Sequence, residues 1–427
     1  MDVLTQTDRT PRSLVADRQF VWQMVGGFMS MVGRQLTLSA LPWLILNLTH
    51  SSVTLGLVIA ALELPRAAFT LIGGALVDRH SPKWILQRST LASAALLGGL
   101  GVLVVSGQAR VEAVYLFAFA MGVVGAFSGP AAASLVPQTV PKERLQSALA
   151  IFMSLAQLAT FLGPLLTSLL LVLPRLKLFD GAPQGGAGGL GLAFLFNAFS
   201  YLLAALTLTR VVRFNTAGAA APAKGRMFAA IAQGATWIGA DRSLRALYAY
   251  WAVSIFLRSG PLLVGLPLLI TAQLHRGAEV GGTMLSMLGA GSIAGMLLSS
   301  RLSRVLRMSA GRLLFHVDLL IGAILIAMSQ IGSPLAGGAL MLCLGLAAGV
   351  VEVRLLAWIQ ARIPAEMRGR VMSFQMLLLT STAPLSSILT GFFIHYVSTP
   401  GLFVGAGVGL LAVALFAIAS PFLRTME

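Results

Sequence analysis

Long apolar segments separated by short polar ones run along almost the whole chain. The apolar residues continue for about 20 positions or more without the period-two alternation of a half-buried strand, so each segment predicts a helix long enough to cross a bilayer. Backbone groups in lipid must be hydrogen-bonded within the segment, which again favours helices. The pattern predicts twelve membrane-spanning helices, at about 20–45, 53–76, 84–107, 113–135, 146–173, 190–212, 245–272, 280–301, 311–330, 333–358, 371–396 and 401–424.

The composition agrees with a membrane location. Hydrophobic residues make up 57% of the chain and charged residues only 10%, whereas about a quarter of the residues in a soluble domain are charged. The single cysteine, Cys343, excludes a disulfide framework and a cysteine-based metal cluster. We therefore expect neither a metal nor a cofactor.

The distribution of Lys and Arg predicts the orientation. With the N-terminus in the cytoplasm, the inner loops and tails hold 22 of the 30 basic residues, as the positive-inside rule requires. The expected protein is a multi-pass protein of the inner (cytoplasmic) membrane with both termini cytoplasmic. The net charge of +16 then reflects topology and not nucleic-acid binding. Residues 1–18 form a polar tail and lack the pattern of a cleavable signal peptide.

The chain repeats itself at an offset of 225 residues. The segment Gly33–Ile45 aligns with Arg258–Ile270, so that proline falls on proline, and without a gap His50 then falls on His275. Parallel halves of this kind are known in transporters, where the substrate binds near the midplane between them and the halves rock. The repeat predicts four parts: a tail (1–18), a first six-helix half (19–212), a cytoplasmic linker (213–242) and a second six-helix half (243–427).

A charged loop follows the second apolar segment. It reads Gly74-Ala-Leu-Val-Asp78-Arg79-His-Ser-Pro-Lys83 and resembles the signature loop of the major facilitator superfamily. The resemblance implies an all-α membrane protein of twelve helices in two pseudo-symmetric halves. It also implies that the loop is a conformational latch, in which Asp78 faces a helix N-terminus and pairs with an arginine to hold the halves together on the cytoplasmic side.

Three further stretches resemble one branch of that superfamily. "GPAAASLVPQTVPKERLQSALAIFMSLAQLATFLGP" (129–164), "FLFNAFSYLLAAL" (194–206) and "IPAEMRGRVMSF" (363–374) look like the drug:proton antiporter branch that holds macrolide-efflux proteins and enterobactin exporters. The resemblance implies export coupled to the proton gradient. Members of this branch often carry an acidic residue after a glycine in the first helix; here Arg34 follows Gly33, so proton coupling cannot be assigned to that position.

Ionisable residues inside membrane helices indicate function, because they are costly to insert. Counting from the outer turn places Arg34 and Glu63 at one level near the midplane, and Arg66 lies one helical turn from Glu63 on the same face. The expected arrangement is an Arg34–Glu63 pair with Arg66 close by. Arg258 lies at a comparable depth in the seventh helix, one register step from the equivalent of Arg34. The position that matches Glu63 is Leu288, so no partner is evident for Arg258.

At this level the three positive charges of Arg34, Arg66 and Arg258 exceed the single negative charge of Glu63 by two. The superfamily resemblance implies that the first and seventh helices line the cavity, so that Arg34 and Arg258 would face each other. Arginine suits the recognition of carboxylate, catecholate or phosphate groups, although structural pairing remains the alternative. The predicted substrate-binding residues are Arg34, Glu63, Arg66, Trp251, Arg258 and Glu352; the proton-coupling candidates are Glu63, Glu352 and Asp318. Pairing of Glu63 with arginines would argue against it as the proton carrier.

A GxGxxG pattern begins at Gly186. No strand precedes it, so the dinucleotide-binding interpretation lacks its structural context, and we expect a flexible outer loop.

The sequence thus predicts a monomeric secondary transporter and not an enzyme, because neither a nucleophile–base constellation nor an ATP-binding loop is present. Its expected substrate is an amphipathic, anionic, siderophore-like small molecule. Multidrug or macrolide efflux, with drug resistance as its outcome, is the alternative within the transporters; a lipid or lysolipid translocase is the alternative of another class.

Overall fold

The computed structural model describes residues 14–77, 80–172, 186–211, 227–306 and 309–419. Every long regular element in these residues is a helix. We number thirteen helices in chain order: α1 (Arg18–Thr49), α2 (Ser52–Val77), α3 (Pro82–Val105), α4 (Val111–Thr139), α5 (Leu145–Val172), α6 (Gly186–Thr209), α7 (Met227–Ala240), α8 (Arg242–Leu274), α9 (Ala278–Leu306), α10 (Ala310–Met328), α11 (Pro334–Arg362), α12 (Ala365–Tyr396) and α13 (Thr399–Ala419).

Eleven helices in the described residues are long and apolar enough to cross a membrane. They are α2–α6 and α8–α13. The 32-residue α1 is also long enough but carries more polar residues, several of which line a cavity. With α1, the predicted twelve-helix architecture is confirmed. We call the end of the bundle where α1 begins the tail side, and the end where α1 meets α2 the turn side.

The first helix of each half begins and ends in the same way. Asp17 caps α1 and Asp241 caps α8, and each carboxylate accepts hydrogen bonds from the backbone N–H groups two and three residues ahead. At the turn side, His50 and His275 adopt left-handed backbone conformations, with φ of 53° and 50°. Equivalent caps at both ends show that the sequence repeat is also a structural repeat.

Helix α8 is one residue longer than α1, so the offset between equivalent positions of the two helices changes part-way along them. Seventeen residues separate Asp17 from Arg34 and likewise Asp241 from Arg258, so that these arginines are equivalent at an offset of 224. A π-helical turn follows at Pro261–Gly265, and beyond it Pro42 matches Pro267 at an offset of 225. The sequence placed Arg258 one step from the equivalent of Arg34; this was wrong, because the inserted residue lies beyond Arg258.

Glycines allow the helices within each half to pack backbone to backbone. In the first half, a Cβ at Gly122 of α4 would collide with the Leu62 carbonyl of α2. In the second half, a Cβ at Gly345 of α11 would collide with the Leu288 carbonyl of α9. The matching contacts make Leu288 the equivalent of Leu62, so the counterpart of Glu63 is Gly289. The second half therefore has no charge at this position, as the sequence had also indicated.

Close contacts join the two halves near the turn side. The hydroxyl of Ser52 on α2 donates to the carbonyl of Gly391 on α12 at 3.1 Å. The hydroxyl of Ser168 on α5 donates to the backbone carbonyl of Glu279 on α9 at 2.8 Å. Trp43 of α1 also packs against Gly281. These contacts close the turn side of the interface between the halves.

Two segments differ from the sequence prediction. The second part of the predicted linker forms α7, which packs on α12: a Cβ at Gly234 would collide with the Arg370 carbonyl. The GxGxxG pattern from Gly186 begins α6 and is not the expected loop. Its glycines let α6 approach its neighbours, because a Cβ at Gly191 would lie 2.6 Å from a Val105 methyl group.

Candidate functional site at Arg34, Glu63 and Arg66

Glu63 lies between two arginines, as the depth count predicted. Its Oε2 atom is 3.3 Å from Nη1 of Arg66, on the same face of α2, and its Oε1 atom is 3.7 Å from Nη2 of Arg34 on α1. The Glu63 and Arg66 side chains are mostly buried, at 15% and 18% exposure, whereas the Arg34 side chain is 48% exposed. The group therefore carries one positive charge more than Glu63 neutralises, and this charge lies on the accessible arginine.

Neighbouring helices leave room for this group. Gly125 of α4 lies beside the Arg66 side chain, where a Cβ would be 3.4 Å from Cδ. Asn197 of α6 donates to the Gly33 carbonyl and to the Thr37 hydroxyl, both at 2.7 Å, which holds α1 against α6 on either side of Arg34. The position of Arg34 is thus fixed by close helix contacts on a rigid element.

Two cavities meet at these three charged residues. One, of about 240 Å³, is lined only by residues of the first half and continues toward the tail side. The other, of about 330 Å³, lies between the halves and also contacts Leu263, Thr380 and Ala383 of the second half. A molecule in either cavity can therefore reach the guanidinium groups.

A second polar group lies in the other half. Asp318 of α10 is 1% exposed, and its Oδ2 atom accepts hydrogen bonds from the Tyr250 hydroxyl at 2.7 Å and the Ser254 hydroxyl at 2.8 Å. Both donors lie on α8. A buried carboxylate is costly without such partners, so these hydroxyls account for its place in the core.

The structure brings Arg258 near carboxyl groups that the sequence analysis had left out of its charge count. Arg258 is close enough to act electrostatically on Asp318 and on Glu352 of α11. It lines neither of the two described cavities. The predicted excess of two positive charges counted Arg258 without these carboxyl groups. One excess positive charge lies at Glu63, and Asp318 and Glu352 act against the charge of Arg258.

The remaining predicted residues lie apart from the cavities. Trp251 packs in an apolar cluster of the second half, 6.1 Å from the Tyr248 ring between ring centres. Gly74 lies in α2. Lys83 donates to the Val211 carbonyl at 2.6 Å, a contact within the first half. Asp78 and Arg79, the central residues of the predicted latch, lie outside the described residues.

The sequence analysis did not assign the hydroxyl donors around Asp318. Neither Tyr250 nor Ser254 is among its predicted site residues. Counting from the capping aspartates relates Ser254 of α8 to Ser30 of α1, but it gives no signal for Tyr250, whose counterpart is Gly26.

The comparison with protein families identifies this architecture. The sequence profile described as Major Facilitator Superfamily matches residues 24–383, which reach from α1 into α12 and include every charged residue of the site. The chain belongs to the Major Facilitator Superfamily. Membership accounts for the helical architecture and indicates a membrane transporter. A comparison with curated proteins finds no significant sequence match.

Solved structures of Major Facilitator Superfamily type share the fold with this chain. The nucleoside transporter NupG superimposes with a TM-score of 0.74 at 10% identity, covering 94% of this chain and 99% of that one. A bacterial homolog of the human lysosomal transporter Spinster, inward-facing and occupied, gives 0.68 at 15% identity with 95% of each chain covered. The POT family transporter PepTSo gives 0.69 at 12% identity, covering 96% and 99%. These identities show the shared fold alone.

Proposed function

We propose that this protein is a secondary active transporter that exports an amphipathic, anionic small molecule across the inner membrane by alternating access. The observation that carries the proposal is the partly exposed Arg34, which borders two cavities and is only loosely paired with Glu63. Arginine can bind carboxylate or phosphate through two parallel hydrogen bonds. The resemblance of three sequence stretches to an exporter branch supports the direction, and both termini are assigned to the cytoplasm.

Contacts at the turn side support an alternating-access mechanism. They close one end of the interface between the halves, while the first-half cavity continues toward the tail side. With the tail side in the cytoplasm, this arrangement is the cytoplasm-facing state of the cycle. Rocking of the halves would break these contacts and close the tail side, where the proposed latch of Gly74, Asp78, Arg79 and Lys83 would act.

Proton coupling is assigned to Glu352 within this proposal. Glu63 is already paired with two arginines, and Asp318 is buried under two hydroxyl donors. Glu352 is exposed and lies near Arg258. Movement of α8 relative to α11 would change the interaction of Glu352 with Arg258, which would couple the charge of Glu352 to the transport cycle.

Metabolite profiling of cells and medium tests the function and the direction together. Cells that lack the protein should retain an anionic compound. Expression of the wild-type protein in these cells should restore export of the compound to the medium, whereas expression of the Arg34→Gln protein should not. Arg110→Gln is the matched control, because Arg110 lies exposed in the connection before α4. Retention of chemically diverse neutral or cationic compounds would instead support multidrug efflux. Lipid scrambling by the purified protein in liposomes without a gradient would support the lipid translocase. If no metabolite is retained and no lipid is scrambled, anion export, multidrug efflux and lipid translocation are all refuted.

A further inference from the structure

The tail-side parts of the two halves can be compared position by position. Counted from the capping aspartates, Gly26, Ser30 and Arg34 of α1 correspond to Tyr250, Ser254 and Arg258 of α8. Counted from Ser81 and Ser309, which directly precede the first residues of α3 and α10, Thr90 of α3 corresponds to Asp318 of α10. Four positions in each half are therefore related by the repeat.

In the first half, these four positions border a cavity. Gly26, Ser30, Arg34 and Thr90 all line the cavity of about 240 Å³. Glycine contributes no side chain there, and the Arg34 guanidinium can donate hydrogen bonds. The Ser30 and Thr90 hydroxyls donate to the Gly26 and Leu86 carbonyls of their own helices, at 3.1 Å and 2.6 Å, and each can rotate to donate to a ligand instead. The site has donors and a positive charge around an open space.

In the second half, a carboxylate from the chain itself occupies the equivalent place. Tyr250 and Ser254 donate to Asp318, and Arg258 acts on it electrostatically. The serine and the arginine are the same residue types as in the first half, whereas the tyrosine and the aspartate replace a glycine and a threonine. The second half therefore shows how this arrangement of helices holds a carboxylate.

We propose that the first-half cavity binds the carboxylate of an external ligand in the place that Asp318 fills in the second half. The Ser30 and Thr90 hydroxyls rotate away from their helix carbonyls to donate hydrogen bonds to it, and Arg34 neutralises its charge. This inference deepens the proposed function, on which it rests for the role of the site in transport: it names the ligand group as a carboxylate and places it inside the first half.

The rest of the lining indicates what the carboxylate is attached to. Apolar side chains from several helices border the cavity, among them Met24, Met31, Leu86, Leu135 and Phe152. Methionines adapt to ligands of different shape, and small-molecule pockets typically combine an apolar wall with a few polar groups. The ligand class is a small monocarboxylate with an apolar, for example aromatic, body.

Binding of 2-naphthoate to the purified full-length protein in detergent tests the inference, with the neutral 2-naphthalenemethanol as the comparison probe. Wild-type protein should bind 2-naphthoate at least tenfold more tightly. Thr90→Asp places a carboxylate at the position that Asp318 has in the second half, so it should weaken 2-naphthoate binding more than tenfold. Thr90→Asn, of similar shape without the charge, should weaken binding less than Thr90→Asp does, and the difference between the two variants measures the effect of the added charge.

A second variant keeps the test decisive if Thr90→Asp fails to fold, as judged by its melting temperature. Ser30→Ala should weaken binding roughly tenfold, because it removes a hydrogen bond to a charged group. Its matched control is Ser154→Ala: both serines bond the carbonyl four residues back, but Ser154 is exposed on α5.

Equal affinity for both probes, or unchanged 2-naphthoate binding in folded Thr90→Asp and Ser30→Ala proteins, would overturn the inference. These outcomes are separate from those for the proposed function. If the variants bind 2-naphthoate with the expected pattern but the protein transports no anion, the carboxylate site is supported and the proposed transport function is refuted. Transport of an anion with unchanged binding in these variants would refute only the site.

Discussion

Arg66 and Arg34 share Glu63 unequally. Arg66 is the closer of the two, at 3.3 Å against 3.7 Å, and it is the more buried. The two arginines consequently have different roles: Arg66 compensates the charge of Glu63 inside the bundle, and Arg34 remains accessible to a second anion.

Substitution of either arginine separates these roles. Arg66→Gln should destabilise the protein by about 1–3 kcal/mol, because a buried group loses its partner. Arg34→Gln should change stability little and should abolish substrate binding. Melting temperatures in detergent measure the first effect, and binding of 2-naphthoate measures the second.

Arg34→Lys is the control for this pair, because lysine keeps the charge but loses the planar fork of the guanidinium. It should bind with intermediate affinity. Arg34→Gln protein that binds like the wild type, or an Arg66→Gln protein as stable as the wild type, would contradict the assignment.

Glu352→Gln should uncouple transport from the proton gradient. A side chain that cannot change its charge cannot carry a proton, so substrate exchange across proteoliposomes should continue while gradient-driven accumulation disappears. Measurement of both in the same vesicles gives the result. Glu366→Gln is the control, because Glu366 is exposed at the tail-side start of α12. Gradient-driven accumulation by the Glu352→Gln protein would return the assignment to Glu63 or Asp318.

Gly56→Leu should open the turn side. A Cβ at Gly56 would lie 2.6 Å from the Ser387 carbonyl of α12, so a large side chain prevents the close approach of the halves there. Spin labels at Ser51→Cys and Val397→Cys, in protein whose Cys343 is replaced by Ser, should move apart. Gly405→Leu is the control, because nothing lies within 4 Å of a Cβ at that position. An unchanged distance in the Gly56→Leu protein would show that this contact does not hold the turn side closed.

The tail-side cap of α8 gives a prediction about pH. Burial alone would raise the pKa of Asp241, but hydrogen bonds from Arg362, at 3.0 Å, and from the backbone of Leu244 and Ser243 outweigh it and lower the pKa below its ordinary 3.8. The contribution to stability is thus fully present above pH 3.8 and is lost as the pH falls through the lower, folded-state value.

Asp241→Asn keeps a good helix cap but loses the charge. It should therefore be less stable than the wild type near neutral pH, by about 0.3–1 kcal/mol for a partly exposed pair, and the difference should vanish below the folded-state pKa. Melting temperatures between pH 6 and pH 3 measure this. Asp17→Asn is the control, since the described bonds of Asp17 come from backbone N–H groups. A difference that persists in acid would show that the pair is not responsible.

The sequence predicted the helices well, because long apolar segments in lipid allow only one backbone structure. It also predicted that Arg34 and Glu63 lie together, because both were counted from the same turn. It did not predict α7, which is too short to span a bilayer and is recognised by its packing on α12. It took the glycines from Gly186 for a loop, because their small size is explained only by the neighbouring helices.

The arrangement around Asp318 could not be derived from apolar patterning. The hydrogen bonds from Tyr250 and Ser254 join residues more than sixty positions apart, and the π-turn at Pro261–Gly265 hides their equivalence to first-half positions when one offset is used throughout. A single inserted residue therefore led to a wrong register for Arg258.

That π-turn also lets two helices of unequal length keep matching faces. In a regular α-helix one extra residue would turn every following side chain by about 100°, but the widened turn at Pro261–Gly265 takes up the residue locally. Beyond it proline again matches proline, and the two histidines end their helices in the same conformation. An exit that forms when the turn side opens would consequently have equivalent faces of α1 and α8 on its two sides.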